Sequence, residues 1–293
     1  MKVLVAAQSG FCFGVRRALD MVRTTLAERG KPVYTFGPLI HNRSAVERLA
    51  REGALCVEEI GLFEPGQTVV IRSHGVSPEQ ERLLRERGVF LVDTTCPLVK
   101  KVQLQLSRIT SSGQFPMIIG KGDHPEVIGE IGYSGGKATV ISSLEEAEAL
   151  PLPLGETGVV AQTTFNPEKF HRIVDFLKCR SPLYRIYDTM CPTTRIRQED
   201  SMLVSRMSDG MLIIGSRQSS NTMSLFERVG RQNPRSYLLE GAGALTPEML
   251  AGVAVVGIAA GASTPDEEIT GVLEGIKAAR SPEPVEIVWR SAK

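Results

Sequence analysis

The chain has 293 residues, 42% hydrophobic and 23% charged, enough to bury cores in two or three modest domains. Its 34 basic and 33 acidic residues leave a net charge of +1 with no long run of either sign, which argues against a nucleic-acid stripe or a polybasic membrane patch. No apolar stretch approaches the roughly 20 residues needed to cross a bilayer, "MKVLVAAQSG" at the N-terminus lacks a signal-peptide pattern, and five cysteines do not make a secreted disulfide framework. A cytoplasmic protein with a small-molecule partner is expected, with no nucleic acid and no membrane.

In chain order, "KVLVAAQSGFC" predicts a strand that stops at a glycine turn and Cys12. "SAVERLAREG" has apolar residues at helical spacing and a closing glycine. "TVVIRSH" is a buried-strand run, "PEQERLLRERG" a second helix closed by glycine, and "VFLVDTTC" a strand that stops at Cys96. The pattern continues with "FPMIIGKG", helical "SLEEAEAL", "TGVVAQTT" and "LYRIYDTMC", the last ending at Cys191, then "DGMLIIGS" and "VAVVGIAAG". Short β-branched runs alternating with amphipathic segments predict parallel α/β units.

The units repeat. "RSHGVSPEQ", "AQTTFNPEK" and "AGASTPDEE" each follow a strand with a polar loop, then Ser77, Asn166 or Thr264, then a proline and an acid. This is a helix start written three times: a capping oxygen, a proline suited to the first turn, and an acid for the positive end of the dipole. A second set of loops, "GPLIHNRSA", "GKGDHPEVI" and "GSRQSSNTM", is led by Gly37, Gly120 and Gly215, spaced 83 and 95 residues apart. Cys12, Cys96 and Cys191 are spaced 84 and 95. Three units follow, 14–95, 96–190, and 1–13 with 191–293. Ligands of parallel α/β sheets bind beyond the carboxyl ends of the strands, so a pseudo-threefold arrangement would bring three thiols and six polar loops to one central site.

A lone cysteine in such a segment is most simply a small core hydrophobe. Three at equivalent positions of a repeat point instead to a soft metal or an iron–sulfur cluster, and a cubane on three cysteines leaves one iron open. Cys56 and Cys179 lack these flanks and read as core or surface thiols. His41, His74 and His124 fall in the polar loops, whereas His171 reads as a packing or surface residue. Singly each loop histidine could cap or turn the chain; with Thr163, Ser219, Ser220, Asn221 and Ser263 they form a donor set suited to phosphate. Glu126 is a first-turn acid by its position after Pro125, and a proton source if it is buried near negative charge.

"SGFCFGVRRALD", "GPLIHN", "RSHGVSP", "DTTCPLVKKV", "HPEVIGEIGY", "QTTF", "SSN" and "AGASTPD", in this order, resemble the signatures of the 4-hydroxy-3-methylbut-2-enyl diphosphate reductases, iron–sulfur enzymes of the last step of the non-mevalonate isoprenoid pathway. The resemblance implies a trefoil of three α/β modules around a [4Fe-4S] cluster held by Cys12, Cys96 and Cys191, with the substrate hydroxyl on the fourth iron. It implies a reductive dehydration to isopentenyl and dimethylallyl diphosphates, with electrons from a donor such as ferredoxin or flavodoxin. By the same carry-over His41, His74, His124, Ser219, Ser220, Asn221 and Ser263 bind the diphosphate, Glu126 relays protons, and Thr163 positions the hydroxyl or an ordered water. The chain departs from the pattern at Lys121, where "GH" is common; at "CPTTRIRQ", which keeps Thr194 and Gln198; and at "SSNTMSL", without the usual Arg before the Leu. A related reductase acting on another allylic diphosphate or hydroxy compound would carry the same site. A non-enzymatic iron–sulfur sensor would be expected to show a nucleic-acid or partner surface, of which the charge balance gives no sign.

Overall fold

The computed structural model describes residues 1–290. The first third forms β1 (Lys2–Val5), α1 (Phe13–Arg29), β2 (Val33–Phe36), α2 (Arg43–Glu52), β3 (Ala54–Val57), β4 (Thr68–Ile71), α3 (Pro78–Glu86), β5 (Phe90–Asp93) and α4 (Pro97–Ser111). There follow β6 (Phe115–Ile119), α5 (Pro125–Tyr133), β7 (Thr139–Ile141), α6 (Leu144–Ala149), β8 (Thr157–Ala161), α7 (Pro167–Arg180) and β9 (Tyr184–Ile186). The last third forms α8 (Pro192–Arg206), β10 (Gly210–Ile214), α9 (Ser220–Gln232), β11 (Ser236–Leu239), β12 (Val255–Ala260), α10 (Asp266–Arg280) and β13 (Glu286–Trp289). Each apolar run quoted above contains a strand.

The strands build three sheets, ordered β11-β10-β12-β1-β13, β3-β2-β4-β5 and β7-β6-β8-β9. Every pairing is parallel. One order is repeated three times, with β1 standing in the first sheet where β5 and β9 stand in the others. The strand in that fourth place is the one that leads to a cysteine. Each sheet reverses direction of growth between its two central strands, β10 and β12, β2 and β4, or β6 and β8, and the polar loops leave from their carboxyl ends, where open α/β sheets bind ligands.

Two compact units result. One comprises residues 1–13, 41–45 and those from 192 onward, and holds the five-stranded sheet; the other comprises 14–40 and 46–191 and holds both four-stranded sheets. In the first unit Val3, Val5, Leu212, Ile214, Val256 and Ile258 face Ile269, Val272 and Ile276 of α10, while Leu4, Met211, Ile213 and Ala259 face Val204, Leu225 and Val229 of α8 and α9. Successive strand residues point to opposite faces and helices cover both, which is why these strands read as unbroken apolar runs. In the second unit Ile118 and Val160 pack on Val102, Leu106 and Ile109 of α4, and Met117, Ile119, Val159 and Ala161 on Phe170, Ile173 and Leu177 of α7. Burying such a side chain contributes about 1.5–3 kcal/mol. Among the described residues no helix is long and apolar enough to cross a membrane.

The three helix starts are alike in two copies and differ in the third. Ser77 accepts from the Gln80 amide in a reciprocal capping box, and Asn166 accepts from the amides of Glu168 and Lys169. Thr264 does not cap: α10 begins at Asp266 with Pro265 before it, and the Thr264 hydroxyl donates to the Ile214 carbonyl at 2.9 Å. The extra contact ties the loop to the end of β10 at the expense of a cap. Gly261 in the same loop is obligatory, since a Cβ there would lie 2.0 Å from Thr222 Oγ1.

Candidate functional site

The thiol loops obey one local rule. In "DTTC" and "DTMC" the carboxylate of Asp93 or Asp188 accepts from the amide two residues on, at 2.9 and 3.2 Å, which turns the chain out of the strand. The hydroxyl of Thr94 then donates to the Ile71 carbonyl at 2.6 Å, and that of Thr189 to the Ala161 carbonyl at 2.8 Å, pinning each loop to the end of the neighbouring strand. Finally the cysteine amide donates to a carbonyl of the adjacent polar loop: Cys96 to Ser73, and Cys191 to Thr163, each at 3.0 Å. In the other unit the Cys12 amide makes the corresponding bond to Ala262, also at 3.0 Å.

All three cysteines lie outside any disulfide, half-buried and immediately before a helix, α1, α4 or α8. Cys56 and Cys179 are free but exposed, on β3 and α7, and share none of these bonds. Thiols aimed from helix starts, without a disulfide, are a donor set for soft metal chemistry. Buttresses absent from the sequence-level reading complete the loops. Arg197, 2% exposed, donates to the carbonyls of Ala260 and Gly10, and Arg17 donates to those of Thr94 and Thr95, just ahead of Cys96.

The larger unit also contains the acid. His124 caps α5 through Nδ1, which accepts from the Glu126 amide at 3.1 Å, so the imidazole carries its proton on Nε2. The His74 ring lies edge-on to it, with centroids 5.5 Å apart. With His124 as cap, the Glu126 side chain turns to the loop after β8: Oε1 accepts from the Thr163 amide at 2.6 Å and Oε2 from the Thr163 hydroxyl at 3.0 Å. Glu126 is 1% exposed and is held above the usual carboxylate range by burial, an effect the two Thr163 bonds partly offset. Through Thr163, whose carbonyl holds the Cys191 amide, the acid is tied to a thiol loop.

The smaller unit contains His41, Ser219, Ser220, Asn221 and Ser263. Ser219 caps α9, Ser220 and Asn221 form its buried first turn, and the Ser263 hydroxyl donates to the His41 carbonyl at 3.3 Å. Asn221 Oδ1 accepts from the Ala262 amide at 3.0 Å, whereas its Nδ2 is shut off from solvent with no partner. A buried amide donor without an acceptor costs about 1–3 kcal/mol, so Nδ2 is poised for an acceptor from a ligand. Sequence reading also missed Glu130, four residues after Glu126 and fully buried; the i,i+4 spacing on an apolar helix was the available signal.

Three small parallel α/β modules with donor-rich loops, cysteines at helix starts and a buried acid at the carboxyl ends of their strands define an α/β protein of the open-sheet class that binds its ligand beyond the strand ends. The chain belongs to the LytB protein family, whose profile matches residues 3–277. It is 41% identical over 268 residues to the 4-hydroxy-3-methylbut-2-enyl diphosphate reductase of Aquifex aeolicus (strain VF5), covering 90% of this chain and 92% of that protein. The protein of the same name from Geotalea uraniireducens (strain Rf4) is 40% identical, with 94% and 97% covered. Among solved structures, the E-1-hydroxy-2-methyl-but-2-enyl-4-diphosphate reductase of Plasmodium falciparum superposes with a TM-score of 0.93 at 25% identity, covering 100% of this chain and 93% of its own. A structure of (E)-4-hydroxy-3-methyl-but-2-enyl diphosphate reductase, the terminal enzyme of the non-mevalonate pathway, gives 0.70 at 40% identity, with 94% and 99% covered.

Proposed function

We propose that this protein reduces 4-hydroxy-3-methylbut-2-enyl diphosphate, removing the allylic hydroxyl as water with two electrons and two protons to give isopentenyl and dimethylallyl diphosphates. The observation that carries this reading beyond family membership is Glu126, a buried acid held by both donors of Thr163 and tied through it to the loop of Cys191. Cys12, Cys96 and Cys191 are the residues to hold the cluster, because among the five cysteines they combine partial burial with a place immediately before a helix. A [4Fe-4S] cluster bound to three thiolates supplies electrons and an iron open to the substrate's oxygen.

The remaining chemistry is that of the chain. His41, His74, His124, Ser219, Ser220, Asn221 and Ser263 are the donors to the diphosphate that the family resemblance implies; the Nε2 proton of His124 and the unpartnered Nδ2 of Asn221 are the best prepared. Glu126 gives protons at the reacting carbon and oxygen, and the Thr163 hydroxyl orients the departing group. The reading takes residues 14–95, 96–190, and 1–13 with 191–293 as the three modules of that reductase, working in the cytoplasm with a ferredoxin- or flavodoxin-type donor. Anaerobically prepared protein, given the diphosphate and a reduced dye, should oxidise the dye and form both products. Failure to turn over with iron and sulfide fully loaded contradicts the reading.

A further inference from the structure

Glu130 lies one helical turn beyond Glu126 on α5 and is 0% exposed. Neither of its side-chain oxygens meets an amide, hydroxyl or charged donor. Packing does not call for a carboxyl there. On α5, Val127 enters the apolar core with Val102 and Leu106 of α4, and Gly129 and Gly132 lie against Val76 and against Ser77 and Pro78 at the start of α3. An apolar side chain would occupy the same place without the cost of burying a polar one.

The charged and titratable groups around the pair are few. Glu126 is the one charged side chain that acts on Glu130; His124 and His74 lie at the head of the helix, beside Glu126; and Tyr133, farther along, answers to Glu81 and Asp93. The α4 and α3 faces bring Val102, Leu106, Ser77 and Pro78, none of which titrates. Two carboxyls one turn apart, with Cβ atoms roughly 5–6 Å from each other and no cation between them, cannot both be ionised without mutual repulsion.

We propose that Glu130 is held as a neutral carboxylic acid and serves as the proton reserve of Glu126, passing its proton along the pair once Glu126 has given up its own. This rests on the reading of Glu126 as the proton donor, and makes Glu130 a positioning residue that acts through it. The reaction takes up two protons, one on the departing hydroxyl and one on carbon. After the first leaves the O–H bond of Glu126, the O–H of Glu130 breaks in turn and a new O–H forms on Glu126, leaving the charge on Glu130. Glu126 is again an acid without help from water. Two buried carboxylates would remain after the second transfer, and their repulsion drives reprotonation when solvent next reaches them. Burial, and then the Glu126 charge, push Glu130 well above the ordinary carboxylate range, as the arrangement requires.

The test compares wild type, Glu130→Gln, Glu130→Asp and Glu126→Gln as anaerobic holoenzymes. Infrared spectra of wild type at neutral pH should show a protonated-carboxyl component that is lost in Glu130→Gln and retained in Glu126→Gln. Glu130→Gln should keep the cluster's visible absorption and its KM and lose at least about tenfold in kcat, with the alkaline limb of the pH profile moved to lower pH. The sign follows from repulsion: the pair holds its last proton to a higher pH than Glu126 alone does. Glu130→Asp should recover part of the rate. An unchanged infrared band, a wild-type profile in Glu130→Gln, or an equal loss at every pH, as a packing defect gives, each overturns the proposal while leaving Glu126 as the acid. Normal turnover by Glu126→Gln overturns both, and that variant alone identifies the failure as that of the underlying reading.

Discussion

Glu126→Gln separates an acid from a helix-start residue. The amide retains Oε1, which can still accept from the Thr163 amide, and its Nε2 faces the Thr163 hydroxyl, which can rotate from donor to acceptor. Both contacts survive with one reversed, so the change in stability should stay within about 1 kcal/mol. His124, not Glu126, caps α5, and the cap is untouched. Turnover should fare differently, because general acid catalysis contributes about 10²- to 10⁴-fold, or roughly 2.7–5.4 kcal/mol of barrier. The assay is anaerobic dye oxidation with the diphosphate, alongside thermal melting and the cluster's visible spectrum. The expected variant folds, loads its cluster and keeps its KM, with kcat reduced at least about a hundredfold. A fully loaded Glu126→Gln protein with a kcat near wild type refutes the assignment and returns the residue to a structural role.

Other outcomes follow from the same geometry. Serine at Cys12, Cys96 or Cys191 should abolish the visible absorption and the activity, whereas serine at Cys56 or Cys179, both exposed, should leave them intact; spectra and iron analysis decide. Asn221→Ala removes the orphaned Nδ2 and also the acceptor of the Ala262 amide, and should weaken diphosphate binding by about 1–3 kcal/mol, read by titration calorimetry against the free alcohol, whose affinity should not change. Glu126 and Glu130 both have folded-state pKa values raised above their unfolded ones, so their contribution to stability is fully present at low pH and fades as pH rises through those values. The melting temperature of Glu130→Gln minus that of wild type should therefore rise between pH 5 and pH 8; a difference that falls over that range contradicts the burial argument.

The modules were legible because their signal is periodic: buried strands bounded by glycine and proline need no long-range information to be recognised, and three copies at matched spacing reinforce one another. The helix starts show where this ends. Ser77 and Asn166 cap as the pattern indicates, but Thr264, in the same place, is drawn away by the Ile214 carbonyl, a partner 50 residues distant that local sequence cannot supply. The site was legible by type and less so by bonding. Nothing near Glu126 indicates that Thr163, 37 residues on, would take both carboxylate oxygens, or that His124 would free the acid by taking over the cap. Arg197 reads as one more charge on an amphipathic helix until its two backbone acceptors, Ala260 and Gly10, are seen. The i,i+4 spacing of Glu130 from Glu126 was available in the sequence, but only the fold shows that both carboxyls are buried.

The most direct test of the proposed reaction is its stoichiometry: electrons consumed per hydroxyl lost, measured anaerobically on the cluster-loaded protein with a one-electron dye while substrate and products are quantified together. Two dye equivalents should be oxidised per diphosphate consumed, with isopentenyl and dimethylallyl diphosphates accounting for all of the substrate. Dye oxidation without loss of the hydroxyl, or consumption of the substrate to a product that keeps its oxygen, would contradict the reductive dehydration assigned to this protein.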